Sequence, residues 1–195
     1  MRHLESLPTT MAACLLAGWM WLIGANASFA QSGRFGAHVG IPIVNEHLAE
    51  GWTYLPWQLL FTCELHHFHP GNRRGLVVLA EPQLIWAHFS PKRKTSWEAG
   101  VNLVAEYRIP AGQRHAVHLA VGAGPHYLAS DFQQQASGFI FSDNFTAGWH
   151  FQSAPHRPAF DLKLRFRHIS NAGLQEPNLG IDTWFLILGI SGWSL

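Results

Sequence analysis

The chain has 195 residues, a formal net charge of +1 and only 13% charged residues, so no basic field supports nucleic-acid binding. An aromatic content of 13% beside so little charge argues equally against disorder. The length and the even composition fit one domain and give no sign of a second.

Residues 1–30 read as an export signal that is removed. Arg2 precedes an apolar run from about Met11 to Ile23, and the small-residue stretch ANASFA follows it. The run is short for a helix across a bilayer core of roughly 30 Å. Cleavage after Ala30 leaves Gln31 first, and cleavage after Ala27 fits nearly as well. Cys14 comes ahead of most of the apolar run, which is the wrong order for a lipid-modified signal. Residues 31–195 then form a single domain whose sole cysteine is Cys63, so an exported chain must be stabilised without an internal disulfide.

Apolar and polar residues alternate in eight runs, at approximately 34–43, 54–67, 76–89, 96–109, 115–127, 139–151, 159–169 and 182–193. In the fourth, Trp97, Ala99, Val101, Leu103, Ala105, Tyr107 and Ile109 share one parity, opposed by Ser96, Glu98, Gly100, Asn102, Glu106 and Arg108, with Val104 as the exception. In the fifth, Val117, Leu119, Val121, Ala123 and Tyr127 oppose Ala116, His118, Ala120, Gly122, Gly124 and His126. In the seventh, Phe160, Leu162, Leu164 and Phe166 alternate with Asp161, Lys163, Arg165 and Arg167.

A soluble sandwich also alternates, but the length of these runs decides between the two. The usual soluble strand has roughly five or six residues, whereas a tilted strand that crosses a bilayer needs about nine to eleven. Lipid offers no backbone partners, so such strands must close into a barrel, apolar side chains outward and polar ones inward. The predicted fold is all-β, an eight-stranded antiparallel up-and-down transmembrane barrel in an outer membrane.

An even strand count puts the termini on the periplasmic side and makes the second, fourth and sixth connections short turns. PAGQR and SAPHRP fit that role, and VNEHLAEGW, SPKRKTS, ASDFQQQASG and SNAGLQEPNLGI become the outer loops. Trp57, Trp86, Trp97, Trp149, Trp184 and Trp193 fall near strand ends, where an aromatic girdle belongs.

The seventh run carries its even parity past Phe166 to His168 and Ser170, which are therefore expected to face lipid. Two residues along a strand span roughly 6.6 Å, within reach of a hydrogen bond if the strand end bends. In the eighth run Asp182 shares the parity of Trp184, Leu186, Leu188 and Ile190, and antiparallel pairing brings it beside His168. A serine hydroxyl is a poor nucleophile until a base takes its proton, and a carboxylate fixes that base's tautomer and steadies its charge. Ser170, His168 and Asp182 fit nucleophile, base and acid. The Asn171 side chain or the backbone N–H groups of Ala172 and Gly173 are the nearest donors for an oxyanion. On spacing alone the same residues also fit a polar loop with turn formers.

At these residues the chain resembles the outer-membrane lipid A 3-O-deacylase (PagL) family. The family's His, one residue, Ser-Asn-Ala, short loop and Pro-Asn-x-Gly signature stands here as His168, Ser170-Asn171-Ala172 and Pro177-Asn178-Leu179-Gly180. The resemblance implies an eight-stranded Gram-negative barrel that hydrolyses the ester-linked acyl chain at the 3-position of lipid A. A Ser-His-acid site on its outer wall would do so, with lipopolysaccharide as substrate, outer-membrane lipids as surroundings and no cofactor. The family's acid is typically Glu, where Asp182 stands here, and Glu176 is the alternative acid. The oligomeric state, a homodimer included, stays open. An outer-membrane phospholipase or esterase using the same residues, and a structural barrel without activity, are the rival functions.

Arg165 and Arg167 point inward by parity, so Lys92, Arg93 and Lys94 in the third-to-fourth connection are the better candidates for lipid A phosphates. His66, His67 and His69 invite a metal site, but His66 and His67 are neighbours that take opposite faces as long as the strand continues, and no Cys or acid cluster joins them, so no metal is expected there. Glu81, Glu98, Glu106 and Arg108 read as a salt-bridged filling of the lumen.

Overall fold

The computed structural model describes residues 34–46, 48, 50–68, 74–90, 94–154 and 157–193. The export signal assigned to residues 1–30 lies outside them, as do Lys92, Arg93 and His69.

Eight antiparallel strands close into a barrel in sequence order. They are β1 (Phe35–Glu46), β2 (Thr53–His67), β3 (Gly75–Ser90), β4 (Lys94–Pro110), β5 (His115–Leu128), β6 (Gly138–Gln152), β7 (Ala159–Ser170) and β8 (Ile181–Trp193). β1 pairs with both β2 and β8, so no edge is left to expose backbone donors and acceptors. The strand count and parity expected from the sequence both hold. One connection differs from expectation: β3 and β4 pair up to Phe89 and Lys94, so their link shrinks to 91–93 rather than forming a longer outer loop.

Burial alternates along each strand as the apolar and polar residues do. Leu103, Leu119 and Phe145 are each about 60% exposed and lie on a wall shared by Leu84, Val121, Phe160 and Leu162. An apolar surface that encircles a protein would associate in water and is at rest only against lipid. Trp57, Trp86 and Trp97 sit side by side on β2, β3 and β4 near one rim, and Trp97 packs on Tyr127 of β5. Trp149 stacks with His115 and Phe151 near the opposite rim. The Trp193 side chain lies outside the described set.

Inside, buried charges pair in layers. Arg165 grips Glu81 with two guanidinium bonds of 2.8 Å and donates a third, of 2.9 Å, to Thr146. Arg167 and His126 share Glu98, while His38 and His150 share Asp161. Glu106 receives Arg108 at 2.6 Å. Gly100 makes room for this filling, since a Cβ there would fall 2.2 Å from Cγ of His126. The four residues expected to fill the lumen do so, joined by His38, His118, His126 and His150, by Asp161 and Lys163, and by both arginines of β7.

Toward the rim bearing the β7–β8 connection, the filling turns apolar. Tyr54, Phe89, Leu128, Ile140, Ile169 and Ile181 pack into one cluster, and Leu48 and Phe132 close over it. Ile169 and Ile181 of this cluster are the chain neighbours of the outward His168, Ser170 and Asp182.

Candidate active site

Strand pairing sorts the outer wall of β6, β7 and β8 into rows. From the rim downward these are Phe141 and Ser170, then Asp143, His168 and Asp182, then Phe145, Phe166 and Trp184. Ala147, Leu164 and Leu186 follow, and below them Trp149, Leu162 and Leu188. Directly paired residues of antiparallel strands project to the same face. One ionisable row therefore crosses a wall that is otherwise apolar, just above the Phe145, Phe166 and Trp184 rings.

Within that row the His168 Nδ1–H donates to Asp182 Oδ1 at 2.6 Å. The carboxylate can only accept, so in neutral His168 the lone pair resides on Nε2. Asp182 is thus the acid that meets the imidazole, while Glu176 is exposed on the loop. Ser170 is half-buried at the end of β7 and shares the outward parity of His168. Among the described residues its hydroxyl forms no hydrogen bond, which leaves Oγ unengaged.

Gly180 makes the imidazole's position possible. A Cβ there would lie 2.6 Å from Cε1 and 3.2 Å from Nε2 of His168, and its φ of +74° is one that side chains seldom adopt. Any larger residue would crowd the Cε1–Nε2 edge of His168.

The connection 171–180 is built around Asn171, which is buried. Its Nδ2 donates to the Gln175 carbonyl at 2.6 Å, its Oδ1 accepts from Gly173 N–H at 3.0 Å, and its own N–H donates to Asn178 Oδ1 at 2.7 Å. Leu174 N–H returns to the Asn171 carbonyl across Ala172 and Gly173, whose φ angles are 54° and 78°. Two positive φ values at the centre of a turn are the mark of type I′. Asn171, read from sequence as an oxyanion donor, is thereby engaged in shaping the loop, and the Gly173 N–H is spent on it. The Ala172 N–H is the turn's backbone donor with no internal partner among the described residues.

The β5–β6 connection straps this loop down. Ala136 N–H donates to the Pro177 carbonyl at 2.8 Å and Leu179 N–H to the Gln134 carbonyl at 2.9 Å, bracketing a bridge between Gln135 and Asn178. Phe132 anchors the strap on Phe89, with ring centroids 3.9 Å apart. At its exposed turn, hydrogen bonds from the Ser137 side chain and backbone hold the Asp131 carboxyl below its ordinary range.

A family model for lipid A 3-O-deacylase (PagL) matches residues 72–191, more than half of the sequence. The chain belongs to this family. Lipid A deacylase PagL of Bordetella bronchiseptica is 30% identical over 98 residues, covering 50% of this chain and 51% of that protein. The chain thus spans about half the length of the curated relative it matches. The crystal structure of the outer membrane enzyme PagL superimposes with a TM-score of 0.60 at 19% identity, over 80% of this chain and 98% of that one. Neisserial surface protein A gives 0.54 at 8% identity, over 82% and 96%. At such identities both structures speak for the barrel alone. The PagL-family match includes every residue of the ionisable row and its loop, from Asp143 to Asp182.

Other candidates stand apart. Lys94 opens β4, three strands round the barrel from β7. Arg165 and Arg167 are buried in the lumen, as parity required. His66 meets the edge of Phe68, and His67 lies 3.7 Å from Glu64. Sequence reasoning did not single out Asp143, the Gly180 cradle or the strap. Asp143 was detectable as the one charge on the apolar parity of Phe139, Phe141 and Phe145; the other two arise from contacts distant in sequence.

Proposed function

We propose that this protein is an outer-membrane hydrolase that removes the 3-O-linked acyl chain of lipid A. Export by the signal at residues 1–30 precedes assembly of the barrel. The observation that carries the proposal is the 2.6 Å contact of His168 Nδ1 with Asp182 on the lipid-facing wall, with Ser170 on the same face.

In the reaction, Nε2 of His168 takes the Ser170 proton as Oγ attacks the ester carbonyl carbon, and Asp182 stabilises the imidazolium so formed. His168 then protonates the departing 3-oxygen of the glucosamine, which leaves as a hydroxyl, and the acyl group stays on Ser170. Water attacks that acyl-enzyme, its proton passing to His168 and on to Ser170 as the fatty acid departs. Binding of the ester at the strand end draws Oγ and Nε2 together, since catalytic hydrogen bonds often tighten only in the substrate complex. The Ala172 N–H is the backbone donor available for the oxyanion.

The rows below His168 supply the acyl subsite. From Phe166 to Phe160 the apolar wall runs for about 20 Å along β7, long enough to lay a fatty acyl chain flat. A lipid that never leaves the membrane needs a site of this kind, open sideways, and not a pocket entered from water.

Mass spectrometry of lipid A from cells carrying wild type, Ser170→Ala or empty vector tests the proposal. Loss of one 3-hydroxyacyl group with wild type alone is expected. Identical lipid A in all three would sink the deacylase, and release of fatty acid from glycerophospholipid instead would reassign it as a phospholipase.

A further inference from the structure

Asp143 is the remaining member of the ionisable row. It lies directly opposite His168 on β6, as Asp182 does on β8, so the imidazole is flanked on both sides by carboxylates. Paired Cβ atoms across such strands are about 4.5–5.5 Å apart. Asp143 is exposed on the lipid-facing wall, between Phe141 and Phe145, and among the described residues no hydrogen bond or ion pair engages it. A charge in that setting opposes membrane insertion and is the kind of residue retained for a task. The groups facing His168 are few: Asp182 from β8, Asp143 from β6 and Gly180 from the loop, with Arg167 turned inward to Glu98.

We propose that Asp143 is a second, positioning carboxylate for His168, resting on the hydrolase reading above. Asp182 holds Nδ1 and sets the tautomer. Asp143, on the other flank, stabilises the positive imidazole that develops as Ser170 is deprotonated, through space and without taking a proton itself. The need for it follows from chemistry and position together. The site opens toward hydrocarbon, where water does little to stabilise a cation, so each nearby negative charge counts for more than it would in solvent. Asp182 meets the imidazole from one flank only, and Asp143 adds a second negative charge on the other. Because Asp143 contributes where charge develops, its removal lowers turnover and leaves substrate binding nearly unchanged.

The test compares wild type, Asp143→Asn, Asp143→Glu, Asp182→Asn, the double Asp143→Asn/Asp182→Asn and Ser170→Ala, each purified as a folded barrel in detergent with lipid A as substrate. Folding is verified by the shift in gel mobility on heating. Asp143→Asn should lower kcat by about three- to tenfold with KM within twofold of wild type. Asp143→Glu should restore most of the loss. The Asn change at 143 should have a larger effect in the Asp182→Asn background than alone, since the surviving carboxylate then acts unassisted. An unchanged kcat in Asp143→Asn, or a Glu variant as impaired as the Asn variant, overturns the proposal. Undiminished activity in Ser170→Ala overturns the underlying hydrolase mechanism instead, so the two failures are told apart.

Discussion

The lumen and the outer wall use the same side chains to opposite ends. Inside, Arg165, Arg167, Glu81, Glu98 and Asp161 are buried and each is held by several partners. Outside, His168 keeps about a third of its side chain exposed and has a single short contact to Asp182. Burial and ion pairing hold these inner groups away from lipid and solvent, so no substrate can reach their protons. The Ser170 hydroxyl and the Nε2 of His168 are left open on the outer wall, as the proposed proton exchange with a substrate requires. What decides between these fates is one step of strand parity: Arg167 and His168 are neighbours in sequence and lie on opposite sides of the wall.

The sharpest way to break the comparison is to unpair the inside. Arg165→Met leaves Glu81 as a buried charge without its guanidinium, and should lower barrel stability by about 3–5 kcal/mol. Urea unfolding in detergent checks this, and the folded fraction should deacylate lipid A at the wild-type rate. A stable variant, or a folded one without activity, would mean that the two regions are not separate.

The next test acts on the outer wall alone. Gly180→Ala places a methyl group against the imidazole edge at a positive φ, and should reduce turnover by at least about tenfold, or roughly 1.4 kcal/mol of barrier. Heat-dependent gel mobility should be unchanged, which separates loss of a poised base from loss of the barrel.

The smallest effect is expected at the turn. Ala172 holds a φ of 54°, which for a residue with a Cβ costs about 1–2 kcal/mol. Ala172→Gly should relieve up to about 1 kcal/mol, read as slower proteolysis of the loop, and should retain activity because the backbone N–H stays in place.

How much of this was legible in the sequence follows from the range of the forces involved. Alternation is local, so the eight strands and the outward placing of His168, Ser170 and Asp182 could be read directly. Direct pairing of His168 with Asp182 followed from antiparallel neighbours joined by one loop. The docking of Ala136 on Pro177 joins residues about forty positions apart, and no local pattern encodes it. The commitment of Asn171 to its own loop was hidden for a related reason: a carboxamide suits an oxyanion or a turn equally, and only the positions of Gly173, Gln175 and Asn178 decide. The three-residue β3–β4 connection was misjudged because polar residues at strand ends continue pairing beyond the bilayer. Asp143 differs from these. It stood in plain view as a charge out of phase with its strand, but its meaning required the register against β7.

The plugged interior carries one more consequence. Layers of ion pairs capped by the Tyr54, Phe89 and Ile140 cluster fill the space that wider barrels leave for diffusion. A barrel packed in this way adds wall to a membrane without adding a route for small solutes through its centre.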